Sequence, residues 1–325
     1  MSILITGGLG YIGSQLSYIL SDNNLKHIIV DNLSTGHKIL KNPKVKLYIE
    51  DISNKDKLKK ILIENNIKCI MHLAASILVP ESMEQPDKYY KNNVINLVEL
   101  LEAAKEAKIK YFIFSSTCAV YGDIKKNTIS ENDPKIPTSI YGMNKLTGER
   151  LIKFYAEKYK FKYAILRYFN VIGADSKLRT GSVKNTGHLF GNIIDSYLNN
   201  KMKISIFGTK YKTIDGSAIR DYIDVQDIAK IHLSAYKKIK INKKSYEINC
   251  GIGNGFSVLK IIKTFEKIIR KKFILTDKKP RPGDTEKLIC NTRFLKKTLK
   301  LNLKNNLANS ITNAINWKKS LNDFY

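Results

Sequence analysis

Within its first 31 residues the chain lays down a strand, a glycine-rich turn, a helix and a second strand closed by an acid. That order restricts the fold more than anything that follows it. Ser2-Ile-Leu-Ile-Thr6 is a short apolar run without polar alternation, the pattern of a parallel strand buried on both faces. Gly7-Gly-Leu-Gly-Tyr-Ile-Gly13 comes next and contains both Gly-x-x-Gly-x-x-Gly and Gly-x-Gly-x-x-Gly. Glycines tighten such a turn and let backbone N–H groups approach a pyrophosphate at the start of the following helix, here expected over Tyr11 to Leu20. A second apolar run, His27-Ile-Ile-Val30, ends at Asp31. An acid at that strand end accepts hydrogen bonds from ribose hydroxyls and repels a 2′-phosphate. The expectation is a dinucleotide site selective for NAD over NADP.

Strand and helix patterns keep alternating through the first half. A polar loop spans Asn32 to Lys44, and strands are expected at Val45–Ile49, Lys68–Leu73, Tyr111–Ser115 and Tyr163–Arg167. Helices are expected at Asn54–Asn65, from about Asp87 to Lys108, and around Tyr141 as far as Tyr159. Such βα alternation predicts an α/β fold with a doubly wound parallel sheet of the Rossmann type. Past residue 170 the pattern loosens. A helix near Leu189–Asn199 stands alone, while Ile223–Lys238 and Tyr246–Asn249 read as a helix and a strand returning to the sheet. The division expected is a dinucleotide domain over 1–170, with 218–250 returning to it in part. A smaller mixed α/β substrate domain over 171–325 follows.

Tyr141-Gly-Met-Asn-Lys145 places a phenol and an ammonium one helical turn apart on one face. A free phenol, with a pKa of roughly 10, is a poor base at neutral pH. A neighbouring ammonium favours the phenolate. One turn of helix thus holds a general base and the charge that activates it. Any solvated helix face can carry this spacing by chance. It gains meaning here from the dinucleotide site that precedes it.

At 325 residues and 43% hydrophobic content the chain has ample core. No apolar run approaches the roughly 20 residues of a membrane span. The first strand is expected from Ser2, so no signal peptide is expected. Cys69, Cys118, Cys250 and Cys290 are scattered, with no Cys-x-x-Cys pair and no metal-ligand spacing. These features predict reduced thiols, a cytoplasmic protein and no metal. The net charge of +27 invites a nucleic-acid reading. The lysines are spread along the chain in short runs such as Lys57-Leu-Lys-Lys60, and no nucleic-acid module appears, so no specific nucleic-acid partner is expected.

With these residues in hand the chain resembles the extended short-chain dehydrogenase/reductases, and within them the UDP-glucose 4-epimerases. The resemblance covers nearly the whole length. It rests on Thr6-Gly-Gly-Leu-Gly-Tyr-Ile-Gly-Ser14, Asp31-Asn-Leu33, Asp51-Ile52, His72-Leu-Ala-Ala75, Val79-Pro-Glu-Ser82 and Tyr89-Tyr-Lys-Asn-Asn-Val94. Phe114-Ser-Ser-Thr-Cys-Ala-Val-Tyr-Gly122, the Tyr141 motif, Leu166-Arg-Tyr-Phe-Asn170 and Asp215-Gly-Ser-Ala-Ile-Arg-Asp-Tyr-Ile223 continue it. Asn249-Cys-Gly-Ile-Gly-Asn-Gly255 and Arg281-Pro-Gly-Asp284 complete it.

The resemblance implies an NAD-dependent isomerase that epimerises C4 of a UDP-hexose through a 4-keto intermediate. Tyr141 would be the base and acid at O4, Lys145 its partner, and Thr117 a second hydroxyl on O4. Gly7, Gly10, Tyr11, Ile12, Gly13, Asp31, Asn32, Asp51, Ile52, Ala74, Asn92, Lys145 and Tyr168 match cofactor positions. Asn170, His188, Leu189, Phe207, Arg220, Arg281 and Leu288 match the UDP-sugar side, the two arginines gripping the diphosphate. Leu288 falls where a large aromatic excludes N-acetylated sugars, so a UDP-N-acetylglucosamine 4-epimerase or a dual-specificity enzyme stays open. Ile77 stands where several relatives carry Lys. Asp224 replaces a common His, with no catalytic consequence expected. A dehydratase would need an acid beside Thr117, where Cys118 and Ala119 stand. A catalytically inactive NAD- or RNA-binding relative is the alternative of a different class, disfavoured by the intact Thr117, Tyr141 and Lys145. A homodimer through the helix before Tyr111 and the Tyr141 helix is also implied.

Overall fold

The computed structural model describes residues 2–185, 187–280, 285–303 and 306–322. The chain opens with β1 (Ser2–Thr6), α1 (Tyr11–Asp22), β2 (His27–Asp31), β3 (Lys46–Ile49), α2 (Lys55–Glu64) and β4 (Ile67–His72). Then come α3 (Val79–Glu84), α4 (Pro86–Tyr90), α5 (Asn96–Glu106), β5 (Tyr111–Thr117), α6 (Ile140–Tyr159) and β6 (Lys162–Tyr168). The second half holds β7 (Asn170–Ile172), α7 (Leu189–Leu198), β8 (Lys203–Phe207), β9 (Ile219–Asp224), α8 (Val225–Asn242) and β10 (Tyr246–Cys250). It ends with β11 (Gly255–Ser257), α9 (Val258–Ile269), β12 (Ile274–Lys278), β13 (Lys287–Leu288), α10 (Arg293–Leu299) and α11 (Leu307–Asn322).

Among the described residues, seven strands form one parallel sheet in the order β10-β6-β5-β4-β1-β2-β3. This is the doubly wound Rossmann arrangement. Side chains alternate across each strand, so each face feeds a separate core. Ile3, Ile5, Ile29, Met71, Ile113, Leu166 and Ile248 pack with Leu16 and Leu20 of α1 and Ile228, Ile231 and Ile239 of α8. Leu4, Ile28, Val30, Ile70, Phe112 and Ile165 pack with Leu58 and Leu62 of α2, Leu97 and Leu101 of α5 and Ile152 of α6. Burial on both faces explains why these strands read as unbroken apolar runs.

A third core joins Phe190, Ile193 and Ile194 of α7, Ile204 and Ile206 of β8, Ile261 and Phe265 of α9, and Ile311 and Ile315 of α11. Here β9 pairs with β7, β11 and β13, and β12 pairs with β8.

The structure corrects the sequence reading at two elements. Ile223 lies in a strand, β9, and the helix begins only at Val225, where the Asp224 side chain caps it by accepting from Gln226 N at 2.8 Å. The helix expected over about 87–108 is three pieces, with a π-helical turn at Lys91–Ile95 between α4 and α5. Such a wide turn frequently marks a functional site, and this one carries Asn92 and Asn93.

In the main sheet the chain runs outward from β1 through β2 to β3, then returns to β4 on the other side of β1. The crevice beyond β1 and β4 is therefore the topological switch point, where open α/β sheets bind ligands.

Candidate active site

The glycine loop occupies that crevice. Gly7 has φ +70°, and a Cβ there would lie 2.6 Å from Ala74 N, so the loop after β1 meets the segment after β4 in backbone contact. A Cβ on Gly13 would lie 2.1 Å from Gly7 O. On Gly10 it would meet only Gly7 O, at 3.3 Å. Gly10 caps α1 without a side-chain hydrogen bond, and the first turn, which includes Tyr11 and Ile12, carries no acid. The helix thus presents its backbone donors and the positive end of its dipole uncompensated by side chains.

Asp31 sits at the end of β2. Its Oδ2 accepts from Leu9 N and its Oδ1 from Leu33 N, both at 2.9 Å. The carboxylate therefore braces the glycine loop and still has lone pairs for a ribose. Asn32 Nδ2 donates to Asp51 Oδ2 at 2.6 Å. Burial pushes the Asp51 carboxyl up, but hydrogen bonds from Ser53 and Asn32 outweigh it and hold the group below its ordinary value. Ile52 beside it is buried. Tyr11 Oη donates to Gly173 O at 2.6 Å, tying the start of α1 to the segment after β7. Asn92 Nδ2 reaches Ser76 Oγ at 3.0 Å, while Asn93 brackets Ser76 from both sides of its backbone, at 2.8 and 2.9 Å.

At Tyr168 the hydroxyl is turned inward. Its hydroxyl is engaged by Ser115 Oγ at 2.8 Å and by His232 Nε2, and only 9% of the residue is exposed. On β6 it shares a face with Ala164 and Leu166, pointing toward the α8 core. Its phenol is committed inside the protein.

Thr117, Tyr141 and Lys145 come together where β5 ends and α6 begins. Ser139 caps α6 by accepting from Gly142 N, and Tyr141 N donates to Ser82 Oγ at 3.2 Å. Lys145 is 4% exposed; its Nζ donates to Ser115 O at 2.8 Å and lies 4.9 Å from the Phe114 ring centre. Burial pulls the Lys145 ammonium down to about 7, against an upward pull from Glu149. Burial also holds the Tyr141 phenol well above its ordinary value; its hydrogen bond with Thr117 opposes this and the Cys118 thiol adds to it. The expected lowering of the Tyr141 phenol is thus reversed, because loss of water outweighs the downward pull of Thr117.

The remaining positions fall into separate groups. Leu288 on β13 is in register with Arg220 on β9 and packs against a buried cluster of Cys118, Leu146, Phe169 and Cys290. Arg220 acts electrostatically on the Cys118 thiol, which follows Thr117. Asn170 opens β7, paired with Tyr222. Leu189 and Phe207 line an open groove of about 800 Å³, which the Thr117–Tyr141–Lys145 group does not line. His188 is exposed at the N-cap of α7, and Ile77 is 47% exposed. Arg281 lies outside the described residues. Asp224 is taken up by Gln226 and Ser310, a structural use.

Several site residues escaped the sequence reading. Ser82, Asn93 and Arg167 lie inside quoted motifs but carried no assigned role. Ser115, Ser116 and Glu149 hold the working helix in place, and Glu149 was legible as the next step in the four-residue spacing from Tyr141 and Lys145. Among the described residues, no group of three or more His, Cys, Asp or Glu could hold a metal ion, and no helix is long and apolar enough to cross a membrane.

The comparisons with known proteins agree with this geometry. The sequence profile of the NAD dependent epimerase/dehydratase family matches residues 3–251. The chain is 36% identical over 321 residues to the UDP-glucose 4-epimerase of Azospirillum brasilense, covering 98% of this chain and 92% of that one. It superposes with TM-score 0.96 at 27% identity, over 100% of both chains, on a Stenotrophomonas maltophila UDP-glucose-4-epimerase solved with bound NAD and formylated UDP-arabinopyranose. The UDP-Glc/GlcNAc 4-epimerase of Campylobacter jejuni is similar at TM-score 0.86 and 34% identity, over 98% of this chain and 99% of that one. With a glycine loop at the switch point, an acid ending β2 and a Thr–Tyr–Lys group at the end of β5, the chain belongs to the NAD dependent epimerase/dehydratase family.

Proposed function

We propose that this protein interconverts the C4 epimers of a UDP-hexose, UDP-glucose and UDP-galactose, through a 4-keto sugar, with tightly held NAD. The observation that carries the reading is the meeting of buried Thr117 and Lys145 with half-buried Tyr141 beside a glycine cradle at the switch point. The residues present fit the dinucleotide: a helix start without a capping side chain, a Gly10 position open beyond 3.3 Å, and an acid ending β2. Gly7, Gly10, Tyr11, Ile12 and Gly13 would take the pyrophosphate. Asp31, Asn32, Asp51 and Ile52 would take the adenosine half, with Ala74, Asn92 and Lys145 toward the nicotinamide. When bound, NAD supplies a hydride acceptor for C4–H and returns the hydride to the other face of the sugar.

The chain's own residues handle the proton and the grip. Tyr141 takes the O4 proton and returns it, and Thr117 shares the hydrogen bond to O4. A phenol held above its ordinary value is ready for the donor half of that cycle. The acceptor half needs positive charge beside the ring, which Lys145 provides. Binding energy belongs on the part of the substrate that stays still while the sugar turns, so Arg220 and Arg281 serve the diphosphate, and Leu189 and Phe207 the uridine side. In this division residues 1–170, with 218–250 returning in part, hold the cofactor, and residues 171–325 hold the UDP-sugar.

Separate incubation with UDP-Glc, UDP-Gal, UDP-GlcNAc and UDP-GalNAc, followed by product analysis, tests the reading. Conversion of UDP-Glc to UDP-Gal is expected. An NAD-loaded protein that converts none of the four sinks it.

One observation favours a broader substrate range. Leu288 is short, sits in register with Arg220 and contacts the cluster that includes Cys118, beside Thr117. A similar enzyme is named for both UDP-Glc and UDP-GlcNAc. UDP-GlcNAc should therefore be epimerised alongside UDP-Glc. Leu288→Tyr should depress kcat/KM for the N-acetylated sugar by about tenfold or more relative to the plain one, since one pocket contact discriminates by roughly 10- to 200-fold. Equal losses on both substrates would remove the gate from Leu288.

A homodimer through α5 and α6 also belongs to this reading. Ile95, Met143 and Phe154 are 48, 50 and 60% exposed, and Met143 and Phe154 lie on the side of α6 away from Tyr141 and Lys145. Phe154→Glu should turn a dimer into a monomer in sedimentation; a monomeric parent protein sinks the proposal. The four free, buried cysteines suit a reducing compartment such as the cytoplasm.

A further inference from the structure

Three consecutive residues at the end of β5 are each engaged by one of three α6 residues. Thr117 is hydrogen-bonded with Tyr141. Ser115 O accepts from Lys145 Nζ at 2.8 Å, and Ser116 Oγ donates to Glu149 Oε1 at 2.6 Å. Tyr141, Lys145 and Glu149 are spaced by four, so they form one row along the helix. The first two belong to the proposed reaction, and the third has no part in it so far.

Glu149 is 1% exposed and is held from behind by Arg167, which is 0% exposed. Arg167 Nε meets Glu149 Oε1 at 2.8 Å and its Nη2 meets Oε2 at 2.6 Å, a two-pronged pair. Arg167 also reaches Glu247 Oε2 at 2.5 Å and Tyr121 Oη at 3.0 Å, so β5, β6, β10 and α6 are laced together under the site. A buried ion pair brings little net stability relative to well-packed apolar side chains. Stability alone therefore does not account for this one.

We propose that Glu149 is a positioning residue: fixed by Arg167 and Ser116, its carboxylate seats the α6 row against β5 and sets a negative charge one helical turn from Lys145. The inference rests on the reading of Tyr141 and Lys145 as the working pair. The surroundings of Lys145 single out Glu149. From β4, His72 faces it, and burial together with the Lys145 charge brings that imidazole down to about 3, so it is neutral. From β5 come the Phe114 ring and the Ser115 carbonyl. Beyond β5, burial pushes the Cys118 thiol up to about 12. From β6, Tyr168 is an un-ionised phenol pushed upward by burial, and Arg167 stands behind Glu149. On α3 and α4, Glu81 pairs with Lys88 and Tyr89, and on α5, Glu102 pairs with Lys105 and Tyr155. Glu149 is the anion that raises the Lys145 ammonium against burial.

The test titrates Lys145 directly. In protein labelled with [ε-¹³C]lysine, the signal missing from Lys145→Met is followed against pH in the parent, Glu149→Gln and Glu149→Asp. Activity lost when Lys145 deprotonates disappears as pH rises, so a lower midpoint moves the alkaline limb of kcat to lower pH. Glu149→Gln should lower both the midpoint and the limb by about one pH unit, and Glu149→Asp should restore most of the shift. If Glu149→Gln does not fold, Glu149→Gln combined with Arg167→Met leaves no unpaired guanidinium and should show the same downward shift. An unmoved midpoint in a folded variant overturns the proposal. The midpoint is read without turnover, so a parent that fails to epimerise UDP-hexoses sinks the proposed reaction alone. An active parent with an unmoved Lys145 sinks only the role of Glu149.

Discussion

Phenylalanine in place of Tyr141 should leave a folded, NAD-containing protein whose turnover of UDP-glucose falls by about 10²- to 10⁴-fold, the usual contribution of a general acid–base group. The ring keeps its packing and Tyr141 N keeps its bond to Ser82 Oγ. What disappears is the hydroxyl and its hydrogen bond with Thr117, a loss of about 1 kcal/mol in stability. That is small beside the roughly 3 to 5 kcal/mol of barrier implied by the rate loss. The two magnitudes separate a chemical defect from a folding one. KM should change little, because O4 is one contact among many on the nucleotide sugar. Measurement needs kcat, bound NAD per protomer and Tm on the same preparation. Turnover within about a factor of two of the parent would remove Tyr141 from the chemistry.

The dinucleotide half of the site was legible because its signals are local. A strand, a glycine turn and a helix occupy consecutive residues, and the spacing of Gly7, Gly10 and Gly13 encodes a backbone contact that the structure then places against Ala74. Tyr141 and Lys145 were legible for the same reason, since four residues on a helix fix a shared face. What stayed hidden depends on contacts between distant segments. Nothing near Tyr168 in the chain announces that Ser115 and His232 take its hydroxyl. The direction of the Tyr141 shift depends on how completely the fold strips water from the phenol, and spacing carries no burial. The π-helical turn at Lys91–Ile95 sits inside an apolar pattern that reads as plain helix. Asn92 and Asn93 on this turn both reach Ser76. Leu288 pairs with Arg220 across nearly seventy residues of chain, a register no window of sequence contains.

Alanine at Gly10 and alanine at Gly13 should fail in different ways, although both replace a glycine of one loop. Gly13 lies inside α1, where alanine ordinarily gains about 1 kcal/mol over glycine. Its Cβ, however, would lie 2.1 Å from Gly7 O and 2.8 Å from Gly8 Cα, both backbone atoms. Neither can swing aside as a side-chain tip would, so α1 must lift from β1. Overpacking costs roughly 1 to 3 kcal/mol or more, and an overlap with main chain belongs at the upper end. The clash therefore outweighs the helix gain, and Tm of the cofactor-free protein should fall by about 5 °C, at roughly 2 to 4 °C per kcal/mol. At Gly10 the added Cβ meets only Gly7 O at 3.3 Å, a contact that a few tenths of an ångström relieve. The cofactor-free protein should therefore melt within about 1 °C of the parent. The same methyl group stands at the bare start of α1, where under the proposed reading the backbone would approach the pyrophosphate closely. Loss of that approach forfeits hydrogen bonds to a charged group, roughly 1.5 to 3 kcal/mol each, so NAD affinity should drop by about tenfold or more. Melting of stripped protein and reconstitution with NAD give the two readouts separately. A Gly10→Ala protein that binds NAD like the parent would move the pyrophosphate away from the start of α1. A Gly13→Ala protein that melts like the parent would show that α1 and β1 can part without cost, against the close backbone packing on which the cradle depends.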